Sequence, residues 1–336
     1  MSRGAWLVTG ASGFLGRHLL DNIPTAGPAA RTIALVRSPE EWRAMDWTRE
    51  LARVETVTGS VAEPTGWAGD PRLGELAGIF HLAALVRHSR RGAAEVHHIN
   101  VHGTAAMVRL AAERGCRMVF VSTSGTVACF RDPAGTADEE SPFCEDEVRG
   151  WPYYRSKIEA EREARRLADA LGVSLVILRP PVLLGPGDHR FRSTGHLDRF
   201  LRGKLPFLIR GGMHFADVRD VAAALTRAMT RDHPRPVYHL PGTISSIEEF
   251  FGLAARIAGR RPPGLRLPYL PAWWLARMSA PLHLLPDPVI IEMAAHYWGM
   301  RSRYAEADLA YRSRSGQETL ADTIAWLQAN RPAPAA

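Results

Sequence analysis

The sequence predicts an α/β protein: a doubly wound parallel sheet with a smaller mixed substrate-binding region toward the C-terminus. Three observations predict it. Short continuous apolar runs recur up to residue 181, separated by segments of helical period, which is the pattern of strands buried on both faces. A glycine-spaced turn, "TGASGFLG", joins the first apolar run to the first helical one. After Pro181 the rhythm breaks into short elements rich in proline and tryptophan.

In chain order, strands are expected at 5–9, 32–36, 54–57, 78–86, 117–124 and 174–181. A helix is expected over 95–114, ending at Gly115, and another over 153–171, closed by Gly172, because glycine reaches the left-handed conformation that ends helices. The acidic stretch 130–150 reads as a loop. Helical patterns follow near 217–229, 246–258, 271–280, 287–299 and 318–329. The expected division is a dinucleotide-binding domain at 1–182, a substrate-binding region at 183–330 interleaved with it, and a disordered tail at 331–336.

Composition narrows the function. The chain has 336 residues, 46% hydrophobic and 23% charged, which suits one large or two interleaved domains. Its charge of +7 comes from arginine, with Lys157 and Lys204 the only lysines, and reads as a coding bias. No basic run is interleaved with aromatics, so nucleic acid is not an expected partner. No apolar run reaches the ~18 residues of a membrane span, and the N-terminus enters a strand without signal-peptide features. Cys116, Cys129 and Cys144 have no metal-ligand spacing and fit a reduced, cytoplasmic protein. No metal is expected.

The glycines Gly10, Gly13 and Gly16 stand between strand and helix. The first allows a tight turn, the second lets backbone approach a pyrophosphate, and the third lets the helix pack close to the strand. The helix start then offers free N–H groups to phosphates. Strand two ends "LVRSPEEWR", with Arg37 where an acid would bind a ribose 2′-hydroxyl, Ser38 beside it and Arg43 near. A guanidinium there matches a 2′-phosphate, so NADP(H) is favoured and NAD(H) stays possible.

Tyr153 and Lys157 are four residues apart and share one helix face, while Tyr154 points elsewhere. A tyrosine can protonate the alkoxide left by hydride transfer if a nearby ammonium lowers its pKa. A hydroxyl from the end of strand five, Ser122, Thr123 or Ser124, would bind the substrate oxygen.

Taken together, "TGASGFLG", "HLAA" (81–84), "NVHGT" (100–104), "STS" (122–124) and "YYRSK" (153–157) resemble, in order and spacing, the extended short-chain dehydrogenase/reductases of the NAD-dependent epimerase/dehydratase superfamily. "RPPVLLGPGD", "FADVRDVA" and the closing "AYRSRSGQETLADTIAWL" are similar to its substrate-domain signatures. The nearest groups are the dihydroflavonol-reductase-like and hopanoid-associated epimerase-like members. The resemblance implies a Rossmann-type fold and selects Ser124, with Tyr153 and Lys157, as the catalytic set, Thr123 being the fallback. It implies that Gly10, Ser12, Gly13, Phe14, Leu15 and Gly16 line the pyrophosphate and ribose. Leu82, Ala83, Ala84 and Ser122 would pass beside the cofactor. Asn100 would hold its helix backbone, Pro180 and Pro181 would meet the nicotinamide side, and Lys157 would bind the nicotinamide ribose. The family's Gly-Asp after strand three is replaced by Gly59-Ser60-Val61, so Ser60 and Val61 would meet the adenine more weakly.

Which reaction follows is narrowed by differences from that pattern. No Asp-Glu pair follows Thr123, which disfavours dehydration. Pro180-Pro181-Val182 and Met213-His214 stand where nucleotide-sugar enzymes carry an asparagine and an arginine for the substrate diphosphate. The expected activity is NADP(H)-dependent interconversion of a carbonyl and an alcohol on a fairly apolar, non-nucleotide small molecule. An NAD-dependent nucleotide-sugar epimerase and a non-catalytic NADP-binding scaffold or sensor are the alternatives. Trp273, Trp274, Leu275, Met278 and Leu282 recur at helical spacing and read first as core of the small region, second as an apolar lid or a membrane contact. His81 is expected to pack at a strand end, and His88, His97, His98 and His102 to be solvated or structural. The protein is expected to be a monomer or a homodimer.

Overall fold

The computed structural model describes residues 4–26, 31–51, 53–280 and 285–330. Seven parallel strands form the central sheet. They are β1 (Ala5–Thr9), β2 (Thr32–Val36), β3 (Val54–Thr58), β4 (Leu76–His81), β5 (Arg117–Val121), β6 (Leu175–Arg179) and β7 (Val237–His239), in spatial order 7-6-5-4-1-2-3. Every residue of β1 and β2 is buried, which is why both read as unbroken apolar runs. The strand order reverses at β1, so a crevice opens between the carboxyl ends of β1 and β4.

Four helices cover the two faces of this sheet: α1 (Phe14–Ala26), α2 (Gly103–Glu113), α3 (Pro152–Leu171) and α4 (Val218–Thr230). The substrate side carries α5 (Ile247–Ala258), α6 (Tyr269–Ser279), α7 (Pro288–Ala294) and α8 (Gly316–Ala329). One apolar layer joins α1 and α4 to the sheet, and the other joins α2 and α3. Proline at the first turn starts α3, where its missing N–H costs nothing, and Gly172 ends it at φ +70°. A capping box between Ser246 and Glu249 starts α5.

The structure departs from the sequence reading in places that shape the site. β4 stops at His81 rather than 86, because Leu85 hydrogen-bonds the Asn100 side chain instead of a neighbouring strand. β5 stops at Val121, and Ser124–Thr126 turn into a short 3₁₀ segment capped by the Thr123 hydroxyl. The expected 95–114 helix is Ala93–His97, then a π-turn over His98–His102, then α2. The acidic 130–150 stretch contains a short strand, Thr136–Ala137, paired with Gly299–Met300. After 182 the chain returns to the sheet, within the region expected to be interleaved with it: α4 packs beside α1, and β7 pairs with β6. β7 has only three residues behind a Pro-Arg-Pro turn, too few to show a period.

The substrate-side region is built from smaller pieces. Val182–Leu184, Gly212–Asp217 and Thr243–Ser246 make a mixed three-stranded sheet. An apolar core gathers α5, α8 and the inner side of α6 against it. The tail 331–336 and Leu282 lie outside the described residues.

Candidate active site

The glycine turn meets the requirements its spacing implies. Gly10 has φ +71°, and a Cβ there would stand 2.7 Å from the Ala83 nitrogen, so the glycine also lets the end of β4 approach. A Cβ on Gly16 would stand 2.4 Å from the Gly10 carbonyl, so α1 packs against the turn only with glycine there. Gly13 meets only the Gly10 carbonyl, at 3.1 Å, leaving its other side open for a ligand to approach. The turn, followed by the start of α1, fits a dinucleotide pyrophosphate. Leu15 turns its side chain into the core, leaving its backbone at the helix start.

At the end of β2, Arg37 is exposed and has no hydrogen-bond or ion-pair partner among the described residues. Its expected neighbours are engaged elsewhere. The Ser38 hydroxyl accepts from the Glu41 nitrogen and donates to Glu40, capping the next short helix. Arg43 donates to the Pro39 carbonyl at 3.1 Å. Past β3, the Ser60 carbonyl accepts from the Trp67 indole at 2.8 Å, and Trp67 closes over Gly59. Val61 is buried against Gly103.

A buried hydrogen-bond chain holds the end of β4. The Ala83 N–H donates to Thr9 Oγ1, whose proton faces His81 Nδ1 at 2.8 Å. His81 Nε2 faces Thr104 Oγ1 at 3.0 Å, and Thr104 donates to the Asn100 carbonyl at 2.6 Å. Because Thr104 gives its proton to Asn100, His81 Nε2 is the donor toward Thr104, and a neutral imidazole then accepts at Nδ1. Burial, with the Lys157 charge adding to it, pushes the His81 pKa down to about 3, which agrees. Asn100 makes the next link. Its Oδ1 accepts from the Leu85 nitrogen, and its Nδ2 donates to Leu85 O and to Ser156 Oγ at 2.9 Å. Ser156 then donates to the Tyr153 carbonyl. The π-turn thus ties the β4 loop to the first turn of α3.

Tyr153 and Lys157 stand on α3, and Ser124 is buried at the end of β5 with its N–H on the Pro180 carbonyl at 2.8 Å. The expectation that Lys157 lowers the Tyr153 pKa is not what the geometry gives. Lys157 Nζ donates to the Val121 carbonyl at 2.7 Å and lies 4.2 Å over the Phe120 ring. Burial pushes Lys157 down to about 7, against the support of the Glu161 charge. Burial pushes the Tyr153 hydroxyl up, so it is held protonated. One turn beyond Lys157, Glu161 is fully buried and bonded to Arg179 Nη2 at 2.5 Å and Nε at 3.0 Å. Burial opposes the Glu161 charge, but the guanidinium holds its pKa below the ordinary value. Arg179 also reaches His239 Nε2 on β7 at 3.2 Å, so α3, β6 and β7 share one buried charged group. Ser122 is buried and faces the same carboxylate.

Around Tyr153 the walls are aromatic. His88 meets it edge-on at 5.6 Å, so of the two expectations for this histidine, solvated or structural, the solvated one does not hold. Among the described residues the buried His88 Nδ1 has no hydrogen-bond partner. Burial lowers the His88 pKa. Tyr154 packs on Gly125 and stacks on Trp298 at 5.4 Å. Trp151, just before α3, gives its indole N–H to Glu292 on α7 at 3.0 Å. Arg90 and Trp273 give theirs to the same carboxylate at 2.7 and 2.8 Å. Neither His88 nor Glu292 carried a readable sequence signal, since each acquires meaning from partners on distant segments. No cluster of potential metal ligands occurs among the described residues.

A model of the NAD dependent epimerase/dehydratase family matches residues 6–240. The chain belongs to that family. With it comes an NAD(P)-dependent oxidoreductase acting on CH–OH or carbonyl groups. The chain is 27% identical to a dihydroflavonol 4-reductase-like protein of Synechocystis sp., covering 96% of this chain and 94% of the relative. It is 30% identical to the 4-hydroxy-2-methyl-3-oxo-4-farnesyl-3,4-dihydroquinoline-1-oxide ketoreductase of Stigmatella aurantiaca, over 82% of this chain and 79% of that one. Among solved structures, MoeE5 in complex with UDP-glucuronic acid and NAD matches with a TM-score of 0.74 and 25% identity, covering 98% of this chain and 100% of that one. The family therefore joins reductases and nucleotide-sugar enzymes on one scaffold, and the details of the site must separate them.

Proposed function

We propose that the protein is an NADP(H)-dependent carbonyl reductase whose substrate is fairly apolar and carries no nucleotide diphosphate. The observation that carries this reading is the aromatic cluster that Tyr153 joins: His88 and Tyr154 meet its ring, and Trp151 and Trp298 pack on Tyr154. The arginine of the neighbouring loop, Arg90, is engaged by Glu292. His214 is buried, with Nδ1 on the Trp298 carbonyl and Nε2 accepting from Gly242, so it is not available to a diphosphate. Arg37, unpaired at the end of β2, supports a 2′-phosphate and hence NADP(H). The similarity to a ketoreductase of a farnesylated substrate supports the apolar class.

When bound, NADPH would supply the hydride for the carbonyl carbon. The Ser124 hydroxyl binds the carbonyl oxygen, and Tyr153 gives that oxygen its proton as the alkoxide forms. A tyrosine kept protonated by burial starts in the form that reduction requires. Lys157, with its pKa at about 7, supplies positive charge below neutrality, and would hold the nicotinamide ribose of a bound cofactor. Asn100 positions the Tyr153 turn through Ser156.

The test is NADPH oxidation with a series of aliphatic and isoprenoid ketones, paired with mass spectrometry of any nucleotide released on denaturation. Turnover that needs NADPH supports the reading. Tightly held NAD, no binding of NADP and no net redox turnover would establish the epimerase instead.

A further inference from the structure

Ten large apolar side chains among the described residues are exposed, and seven of them fall between Leu265 and Ile290. Four make a stripe on α6. Leu270, Trp274 and Met278 follow at i, i+4 and i+8, with Leu275 beside them, and they are 64, 55, 73 and 49% exposed. The side of α6 that faces the core carries Ala272 and Ala276, both fully buried. This inverts an ordinary surface helix, which turns its large apolar residues inward. It also corrects the expectation of core for Trp274, Leu275 and Met278, while Trp273 packs partly buried against the core.

The charge of the same segment says what covers the stripe. Between Gly259 and Pro286 there are four arginines and no aspartate or glutamate. Arg277 flanks the stripe, with its guanidinium over Trp273. Arg260 and Arg261 are exposed and have no carboxylate partner among the described residues. Outward Trp, Leu and Met with basic flanks and no acid is the chemistry of a helix that lies in the headgroup layer of an anionic membrane.

We propose that α6 docks the protein on an anionic lipid bilayer, with Leu270, Trp274 and Met278 in the acyl boundary. The docked helix is tied to the site. Trp273 of α6 and Trp151 at the start of α3 both donate to Glu292, so the exposed helix and the turn that carries Tyr153 share one carboxylate. Docking would bring that turn near a substrate dissolved in lipid. That use rests on the apolar-substrate reading, whereas the docking itself is measured without substrate.

The experiment is co-sedimentation of the full chain, with NADPH, on vesicles of phosphatidylcholine with and without phosphatidylglycerol. Binding is expected to be at least about tenfold tighter with phosphatidylglycerol and to weaken with salt. Trp274→Ser with Met278→Ser should lower it at least about tenfold, with NADPH binding unchanged. Arg260→Ser and Arg261→Ser should each remove about fivefold of the preference. Should the paired serine variant not fold, quenching of wild-type tryptophan fluorescence by bromine-labelled acyl chains is the second readout. No sedimentation on either vesicle, no quenching, or a wild-type dimer that the serine variant splits would overturn the proposal. Vesicle binding without reduction of any ketone would overturn the reductase reading and leave docking standing.

Discussion

The two halves of the molecule solve the placing of reactive groups differently. On the cofactor side, positions are set by regular strand ends and by buried hydrogen bonds: Gly10 against Ala83, His81 between Thr9 and Thr104, Lys157 on Val121. On the substrate side, strands of two to six residues and single carboxylates such as Glu292 hold aromatic side chains together. The first half cannot change without disturbing the sheet. The second can change its lining while the core of α5 and α8 stays fixed, which is how one scaffold accepts many substrates.

The contrast is broken most strongly at the two adjacent tyrosines. Tyr153→Phe is expected to lower kcat about a thousandfold, and Tyr154→Phe only a few-fold, measured as NADPH oxidation. Equal losses would place the proton donor elsewhere. Next comes the buried charge of the cofactor half. Glu161→Gln leaves Arg179 uncompensated and should cost about 3–5 kcal/mol in denaturant unfolding, far more than loss of the exposed Arg266–Glu248 pair.

Acid titration compares the halves through one buried histidine in each. Burial lowers His81 to about 3 and His214 to about 4, below the ordinary value of 6.5. The unfolded chain therefore binds protons first. The stability each contributes is complete above pH 6.5 and is lost as pH falls through 6.5 toward these values, by about 3 kcal/mol for His214. Unfolding followed by circular dichroism from pH 7 to 4 should show that slope, and His214→Gln should reduce it. The smallest expected effect is at Arg37. Arg37→Ser should weaken NADPH binding by about 2 kcal/mol, some thirtyfold, and spare NADH. Equal losses for both cofactors would remove the 2′-phosphate argument.

What was legible in the sequence follows the same division. The first six strands and the glycine turn could be read because burial on both faces leaves continuous apolar runs and because tight turns demand glycine. That Tyr153 and Lys157 stand one turn apart on one helix is local and could be stated from spacing; the charge coupling expected between them is not what the structure gives. Three features could not. β7 is too short for a period, the Lys157 partner is a backbone carbonyl with no side-chain signature, and His88, on a loop that Asn100 holds at Leu85, meets Tyr153 more than 50 residues further along the chain. The tryptophan segment misled for a different reason. Apolar spacing reports a face of a helix, not whether that face turns inward.

The return of β7 to the sheet edge also bears on how the protein is made. About 60 residues separate the end of β6 from β7, so at roughly 5–20 residues per second the ribosome leaves that edge uncovered for several seconds. During that interval β6 presents unpaired backbone groups to any other nascent strand. The Pro-Arg-Pro turn before β7 and the prolines at 180 and 181 after β6 border that edge with residues that cannot donate to a ladder.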